Sequence, residues 1–213
     1  MRLILVRHGD AYAGFNGLIA GVAGCTGLTP HGRRQAEALR DFLESSDRVQ
    51  ADALLVSLLP RAIETAEIIA PALGIEISAP QCDLCEIHPG DADGLEWAEY
   101  NVRYGSFDME GEPDRVFAPA GESWNSFHAR VRTMLDDIAR EHVDRHVVAV
   151  CHAGVITASL RVLLDMPIPG TNTQLRPTNT GLTEWEYDPS LDRWTLHSFN
   201  ETAHLLGVEP PRP

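Results

Sequence analysis

The sequence is poor in basic residues. Its 213 residues include 17 Lys and Arg against 31 Asp and Glu, which gives a formal net charge of −14 at pH 7. Most of the surface would repel a phosphate backbone, so the charge argues against nucleic acid and anionic membranes as partners. It still permits a small phosphorylated substrate, because a few arginines gathered in one cleft dominate locally. Exposed charges more than about 10 Å apart are largely screened at moderate salt.

The chain also lacks a long apolar run and a secretory signal. No segment approaches the roughly 20 apolar residues that a transmembrane helix needs. Met1 and Arg2 lead straight into a short apolar stretch rather than into a signal peptide. These absences predict a cytoplasmic protein, in which disulfides are not expected. The sequence leaves a homodimer open.

Cysteine is scarce, with four residues at positions 25, 82, 85 and 151. Cys82 and Cys85 have CxxC spacing, and His88 follows three residues later. A zinc site normally needs a second pair of ligands, and none follows at a convincing spacing. The sequence therefore predicts no metal site and no cofactor. Cys151 lies in an apolar run and is interpreted as a buried small hydrophobic residue.

Hydrophobic residues make up 44% of the chain, which is enough for one well-buried domain over residues 1–213. Along it, apolar runs of strand length alternate with segments of helical periodicity. The predicted strands are Leu3–Val6, Ala53–Val56, Ile75–Ser78, Val147–Cys151, Leu182–Tyr187 and Trp194–Phe199. Predicted helices begin at Thr29-Pro30, run from Ile63 to Leu73 and run from Val155 to Leu164. This alternation predicts an α/β three-layer sandwich with a mainly parallel central sheet and helices on both faces.

Residues 88–121 fit the alternation poorly. They are rich in Asp and Glu, with aromatic residues at Trp97, Tyr100, Tyr104 and Phe107. We expect this segment to form a cap or insertion over the carboxyl ends of the strands. Its aromatic residues are expected to pack within the cap, with contact between one of them and substrate as the alternative.

Polar residues follow the three strongest strand candidates at their carboxyl ends. The first strand ends in Arg7-His8-Gly9, the second runs from Ser57 to Arg61, and the third ends in His152-Ala153-Gly154. Ligands bind at the carboxyl ends of parallel strands, so these residues are predicted to form one site.

The residues at this edge suit phosphoryl transfer. A histidine attacks phosphorus when one ring nitrogen is unprotonated, and arginines hold the phosphoryl oxygens through the transition state. The leaving alkoxide takes a proton, usually from a carboxylic acid. The chain offers His8 for the first role, Arg7 and Arg61 with His152 for the second, and Glu86 for the third.

Leu5-Val6-Arg7-His8-Gly9 resembles the signature of the histidine phosphatase superfamily, the phosphoglycerate mutase-like proteins. The resemblance continues along nearly the whole chain, through segments that begin at Gly27, Ser57, Leu84, Gly121, His152, Asn179 and Asn200. It implies that His8 is phosphorylated during turnover and that Arg7, Arg61 and His152 bind the phosphoryl group. It also implies that Glu86 protonates the leaving group and then activates water. Asp83, Asp91 and Asp93 stay open as alternative acids, as does a reaction that uses no acid from the protein.

The loop between residues 10 and 26 departs from the family pattern. Asp10 stands where the family usually has Glu or Gln, and Asn16 is only a displaced candidate for the expected asparagine. Since this loop should set specificity, Asp10, Asn16 and Thr26 are the candidate substrate contacts.

The leading hypothesis is a metal-independent phosphatase that hydrolyses a small phosphorylated metabolite through a phosphohistidine intermediate. A phosphoglycerate mutase-type phosphomutase is the alternative, which the acidic residues of 88–121 disfavour because such enzymes use a basic substrate clamp. A non-catalytic interaction protein on the same fold is a second alternative, disfavoured by the intact set of candidate catalytic residues.

Overall fold

A computed structural model describes residues 1–46, 49–108, 111–167 and 174–209. The strands are β1 (Arg2–Arg7), β2 (Ala53–Val56), β3 (His146–Cys151), β4 (Leu182–Asp188) and β5 (Arg193–Glu201). The helices are α1 (Tyr12–Phe15), α2 (Pro30–Ser45), α3 (Pro60–Leu73), α4 (Trp97–Tyr104), α5 (Trp124–Glu141) and α6 (Ala153–Leu163). Three short 3₁₀ helices span Cys82–Leu84, Gly90–Ala92 and Ala203–Leu205. The fold is α/β.

The five strands form one mixed sheet in the order β2-β3-β1-β4-β5. β3 pairs with β1 and with β2 in parallel, and Leu5 lies opposite Ala149. β4 pairs antiparallel with β1 and with β5. The expected mainly parallel sheet therefore holds only for β2, β3 and β1. The short turn after Asp188 explains the antiparallel pairing of β4 with β5, because a tight hairpin can join only antiparallel strands.

The predicted strand at Ile75–Ser78 is not a regular strand. Ile77 makes one isolated parallel bridge to Leu54, and Gln81 makes another to Ser57. The segment therefore runs along the free edge of β2 with too few hydrogen bonds to extend the sheet.

The two faces of β1 bury its side chains against different helices. Leu3 and Leu5 pack in a cluster with residues of α5 and α6, including Phe127 and Ile156. Val6 packs in a second cluster with residues of α2 and α3. This division follows from the two-residue period of a strand, and it buries the sheet on both sides.

Helix ends are set by residues visible in the sequence. The Thr29 side chain accepts a hydrogen bond from the Gly32 amide and so caps α2, with Pro30 as its first residue, as predicted. α3 ends at Gly74, whose φ of 65° is left-handed. Ser123 and Ser126 form a capping box at the start of α5. In the described ranges, no helix combines the length and apolarity required to cross a membrane.

Candidate active site

The carboxyl ends of three adjacent parallel strands meet at one edge of the sheet. β1 leads to His8, β2 leads to Ser57 and β3 leads to His152. The structure thus brings together the polar segments that the sequence predicted to converge.

Both ring nitrogens of His8 have partners that define its tautomer. Nδ1 lies 2.6 Å from the Gly9 carbonyl oxygen, an acceptor only, so Nδ1 carries the proton. Nε2 accepts from Arg61 Nε at 3.1 Å and therefore holds a lone pair. Burial and the charges of Arg61 and Arg7 lower the pKa of His8 well below 6.5, so the ring is neutral at neutral pH.

Two guanidinium groups flank His8. Arg61 is the second residue of α3, and its Nη1 donates to the Ala20 carbonyl at 2.9 Å. Arg7 ends β1, and its Nη1 donates to the Pro177 carbonyl at 2.7 Å. Arg7 Nε is buried without a partner in the described part of the chain. Burial is the main cause of a lowered pKa at Arg7, but an arginine remains charged in proteins. The site therefore places two fixed cations beside a neutral imidazole.

His152 lies behind His8, at the N-cap of α6. It is fully buried, and its ring centroid is 5.1 Å from that of His8. Its Nε2 is 2.7 Å from Ser57 Oγ, whereas its Nδ1 has no partner among the residues described. Burial, together with Arg61 and His8, lowers the pKa of His152 well below 6.5. His152 is therefore a second neutral imidazole, with one ring nitrogen left unpaired.

Glu86 lies opposite these groups on the segment after the first 3₁₀ helix. Its Oε2 accepts from the Gly154 amide at 3.0 Å, and its Oε1 accepts from its neighbour Ile87 at 3.3 Å. Gly154 belongs to the first turn of α6, so a backbone amide of that helix positions the Glu86 carboxyl group. The carboxyl group of Glu86 is thus held at the same edge of the sheet as His8.

The three alternative acids are not among the residues that line the cavity, whereas Glu86 is. The carboxylate of Asp93 instead accepts from the amides of Gly21, Ala23 and Gly24, so it anchors the glycine-rich loop. Within the described ranges, the only carboxylates that line the cavity are those of Glu86 and Asp10.

The cavity has a volume of about 930 Å³ and contains His8, Arg7, Arg61 and Glu86 in its lining. A large part of its wall is apolar or aromatic, formed by Leu18, Ile19, Ile87, Pro89, Trp97, Phe107, Phe117 and Trp124. Of the four aromatic residues that the sequence placed in this segment, Trp97 and Phe107 line the cavity, whereas Tyr100 and Tyr104 are not among the lining residues. Tyr100 is fully buried and donates its hydroxyl to the Phe117 carbonyl at 2.6 Å.

The three loop residues that were predicted to contact the substrate lie in different places in the structure. Asp10 lines the cavity, but its Oδ2 accepts a hydrogen bond from the Thr29 hydroxyl at 2.7 Å. Asn16 and Thr26 are exposed and are not among the lining residues. The structure therefore does not bring Asn16 or Thr26 to the site, because the loop folds back onto Asp93 and α2 in between.

Several polar residues that line the cavity were given no role from the sequence, among them Asn179 and Arg161. Asn179 donates its side-chain amide to the His8 carbonyl at 2.9 Å. Arg161, in the last turn of α6, is 8% exposed. A single arginine in the largely apolar segment from Val155 to Leu164 was the available signal for this residue. Asn179 begins a segment that resembles the family, but the sequence analysis assigned no role to its side chain.

A second group of polar side chains lies outside the cavity lining. The Sγ atoms of Cys82 and Cys85 and a ring nitrogen of His88 all lie within 4.8 Å of one another. Cysteine and histidine are both ligands of soft divalent cations. The sequence analysis noted the spacing of these three residues without predicting a metal site, and the structure brings their ligand atoms together.

A neutral imidazole with an available lone pair, two arginines and a carboxyl group at one sheet edge define the class of protein. The arginines suit a dianionic phosphoryl group, the imidazole suits attack on phosphorus, and the carboxyl group suits proton transfer. The fold and site are those of a phosphoryl-transfer enzyme.

The particular family follows from comparison with known proteins. Residues 3–202 match the model of the histidine phosphatase superfamily (branch 1), and the chain belongs to this family. The family resemblance in the sequence is thereby confirmed.

Two relatives from Arabidopsis thaliana illustrate the range of names within the family. The chain is 29% identical over 208 residues to phosphoglycerate mutase-like protein 4, covering 95% of this chain and 86% of that protein. It is 27% identical over 210 residues to a metal-independent phosphoserine phosphatase, covering 97% of this chain and 84% of that protein. The solved structure of Bacillus stearothermophilus YhfR is similar with a TM-score of 0.82 and 26% identity, covering 98% of this chain and 99% of that chain.

Proposed function

We propose that this protein is a metal-independent phosphatase that hydrolyses small phosphorylated metabolites through a phosphohistidine on His8. The tautomer of His8 is the observation that carries the proposal. Nδ1 is next to the Gly9 carbonyl, and Nε2 keeps its lone pair beside Arg61. A family relative bears the name of a phosphatase that needs no metal, which supports the same reaction class.

In the first step, His8 Nε2 attacks phosphorus and the ester P–O bond breaks. The leaving oxygen takes a proton from the carboxylic acid of Glu86. Arg7 and Arg61 hold the phosphoryl oxygens, and the first-turn amides of α6 add further donors. His152 binds the same group through Nδ1 when Ser57 donates its hydroxyl proton to Nε2, because the remaining ring proton is then on Nδ1.

In the second step, water attacks the phosphorus of the phosphohistidine. The Glu86 carboxylate accepts a proton from that water, the P–N bond breaks, and its electron pair returns to Nε2. Inorganic phosphate leaves, and Glu86 is again protonated for the next cycle. Each group therefore ends the cycle in its starting state.

The cavity wall supports a preference within this substrate class. Trp97, Phe107, Phe117 and Trp124 offer apolar surface on which the organic part of the substrate would pack. We infer that esters with an apolar or aromatic leaving group are hydrolysed faster than small polar ones.

The finer architecture is part of the proposal. We infer a single domain over residues 1–213 with three layers, supported by the separate packing of α2 and α3 on one face and of α5 and α6 on the other. Residues 88–121 are proposed as a cap, because Ala92, Tyr100, Phe117 and Ala118 share a small core with Ile19. A cytoplasmic location agrees with four free cysteines.

The test is turnover of an aryl phosphate by wild type and by His8→Ala, both with a chelator present. We expect wild type to keep its rate with chelator and His8→Ala to lose at least ~10³-fold in kcat. Ser45→Ala, on the exposed last turn of α2, is the matched control and should behave as wild type. Equal rates in wild type and His8→Ala would overturn the phosphohistidine mechanism.

The mutase alternative has its own experiment. Incubation with 3-phosphoglycerate should release inorganic phosphate or give no reaction. Efficient formation of the 2-isomer would overturn the assignment as a phosphatase.

A further inference from the structure

The cluster of Cys82, Cys85 and His88 lies next to the active site without being part of its cavity. Cys82 is the first residue of the first 3₁₀ helix, and Cys85 follows the end of that helix and immediately precedes Glu86. Cys85 is buried, whereas Cys82 is exposed. An ion would therefore enter from the side of Cys82 and end close to the segment that holds the proposed acid.

The spacing of the three ligand atoms suits a tetrahedral cation. Zinc binds sulfur at about 2.3 Å and imidazole nitrogen at about 2.0–2.1 Å, so tetrahedral ligand atoms lie about 3.5–3.8 Å apart. Here Cys82 Sγ is 3.3 Å from His88 Nε2, and all three ligand atoms lie within 4.8 Å of one another. Side-chain shifts of no more than about 1 Å would complete the geometry, because the ligand distances differ from the ideal by that amount.

The orientation of His88 is an independent observation that points to a cation. Its Nδ1 lies 3.6 Å from Glu122 Oε2, which also accepts from the His88 amide at 2.8 Å. A proton on Nδ1, directed to Glu122, leaves the lone pair on Nε2 directed to the thiols. Metal-binding histidines have this arrangement, with a carboxylate on the ring nitrogen that does not bind the metal.

The backbone that carries the two cysteines is also held in place. Arg130 Nη1 donates to the carbonyls of Asp83 at 2.7 Å and Cys85 at 3.1 Å, and Nη2 donates to the Glu86 carbonyl at 3.2 Å. The same guanidinium group pairs with Glu122 at 2.7 Å. One partly buried ion pair thus fixes the loop of the two thiols and orients the imidazole.

We propose that Cys82, Cys85 and His88 form a binding site for one soft divalent cation of the zinc class, and that its occupancy lowers phosphatase activity. The fourth coordination position is open to water or to an added ligand. The cation takes no part in phosphoryl transfer.

A chain of hydrogen bonds connects this site to the proposed phosphate pocket. Ser57 Oγ donates to Cys85 Sγ at 3.3 Å and lies 2.7 Å from His152 Nε2. A metal-bound sulfur is a thiolate and a stronger acceptor than the thiol, so it holds the Ser57 hydroxyl proton more firmly. Ser57 must then accept from His152 Nε2, and Nδ1 loses the proton with which it would donate to a phosphoryl oxygen. Cation binding therefore weakens the phosphate pocket.

The first experiment measures binding alone and does not depend on the proposed function. Zn²⁺ is titrated calorimetrically, and Co²⁺ is used as a spectroscopic probe of thiolate ligands. We expect one ion per wild-type chain with a thiolate-to-cobalt charge-transfer band. Cys82→Ser should bind at least 10-fold more weakly, and Cys25→Ser, a cysteine outside the cluster, should bind as wild type. Equal affinity of wild type and Cys82→Ser, or a cobalt spectrum without the charge-transfer band, would overturn the site.

The second experiment tests the effect on activity and rests on the proposed function. Zn²⁺ should lower kcat/KM for an aryl phosphate several-fold in wild type and in Cys25→Ser, with recovery on chelation. Cys82→Ser, an exposed change outside the cavity, should keep its full rate at the same Zn²⁺ concentration. Equal inhibition of Cys82→Ser would show that zinc acts elsewhere and would overturn the regulatory role. Absence of turnover in every protein would refute the proposed function and leave the binding result standing.

Discussion

Single residues at this site work through their protonation state. His8 and His152 are both buried beside arginine side chains, and this environment disfavours the imidazolium form of each. Neutral histidine is the form needed for attack on phosphorus. Arg7 and Arg61, which are suited to bind a phosphoryl group, therefore also keep His8 in the neutral form that can attack phosphorus.

The depressed pKa of His8 has a measurable consequence. A group whose pKa lies well below 6.5 gains its proton only when the pH falls well below that value. We expect the His8 resonance in NMR spectra to show no titration around pH 6.5, with assignment from the spectrum of His8→Asn. Arg61→Gln removes a nearby charge and should raise the pKa of His8. An unchanged His8 resonance in Arg61→Gln would contradict the electrostatic explanation.

Glu86 and Asp10 are the two carboxylates to compare as acids. Glu86→Gln removes the proton donor and should lower kcat about 10²–10⁴-fold, the usual contribution of general acid catalysis. Asp10→Asn should cost far less, since Asp10 is already bonded to Thr29. For substrates with good leaving groups, the loss in kcat/KM of Glu86→Gln should be smaller, because their first step needs no proton. The loss in kcat should remain, because attack of water in the second step still needs Glu86 as the base. A larger loss in Asp10→Asn than in Glu86→Gln would reverse the assignment.

At the scale of elements, glycines set how closely helices approach the site. A Cβ atom on Gly32 in α2 would lie 2.0 Å from the Asp10 carbonyl oxygen. A Cβ atom on Gly154 in α6 would lie 1.9 Å from Glu86 Oε1. At Gly32 the clash is with backbone, so only hydrogen fits there, whereas at Gly154 it is with the end of the Glu86 side chain, which can move. The absence of a Cβ lets both helix starts lie against the catalytic segments.

Gly154→Ala tests the contact between α6 and Glu86. The new methyl group must displace the carboxylate, and a displacement of about 1 Å can cost on the order of 10²-fold in rate. We expect a loss of this size in kcat with little change in thermal stability, because alanine favours the helix. In the Glu86→Gln background the same substitution should cost much less. Equal costs in both backgrounds would show that Gly154 does not act through Glu86.

At the scale of the whole molecule, buried neutral histidines link stability to pH. His204 lies between Thr180, 2.9 Å from its Nε2, and the ring of Phe42. Burial lowers the pKa of His204 from 6.5 to about 4. The unfolded chain therefore binds a proton at higher pH than the folded protein. The contribution of neutral His204 to the free energy of unfolding is complete above pH 6.5 and is lost as the pH falls towards 4.

Urea unfolding of wild type and His204→Gln at several pH values checks this linkage. The free energy of unfolding should fall more steeply for wild type between pH 6.5 and 4, by up to about 1.4 kcal/mol per pH unit. At neutral pH, His204→Gln should have a lower free energy of unfolding than wild type, because it loses the packing around the His204 ring. This difference between the two proteins should become smaller as the pH falls. If the free energies of unfolding of wild type and His204→Gln depended on pH in the same way, the assignment of His204 as a proton-linked group would be contradicted.

Much of the fold and site could be predicted because it is written in local patterns. Strand runs, the Thr29 cap and the stop at Gly74 follow from side-chain period and backbone preference. His8, Arg7, Arg61 and His152 were predicted together because parallel strands place their carboxyl ends side by side. The sequence analysis predicted a regular strand where Ile77 forms only an isolated bridge, and it did not predict that β4 is antiparallel. Both features depend on which strands pair across the whole sheet, and local sequence patterns do not determine that pairing.

The sequence by itself determined the chemical groups available: a histidine after an apolar strand, one arginine at the end of that strand, another at the start of a helix, and an acid near residue 86. Only the tertiary structure decided which of them meet. It placed Glu86 in the cavity and directed Asp93 to loop amides, left Asn16 and Thr26 outside, and added Asn179 and Arg161. It also brought His88 to two cysteines whose spacing alone predicted no metal. The physical reason is that these contacts join residues far apart in the chain, and packing rather than local pattern sets such distances.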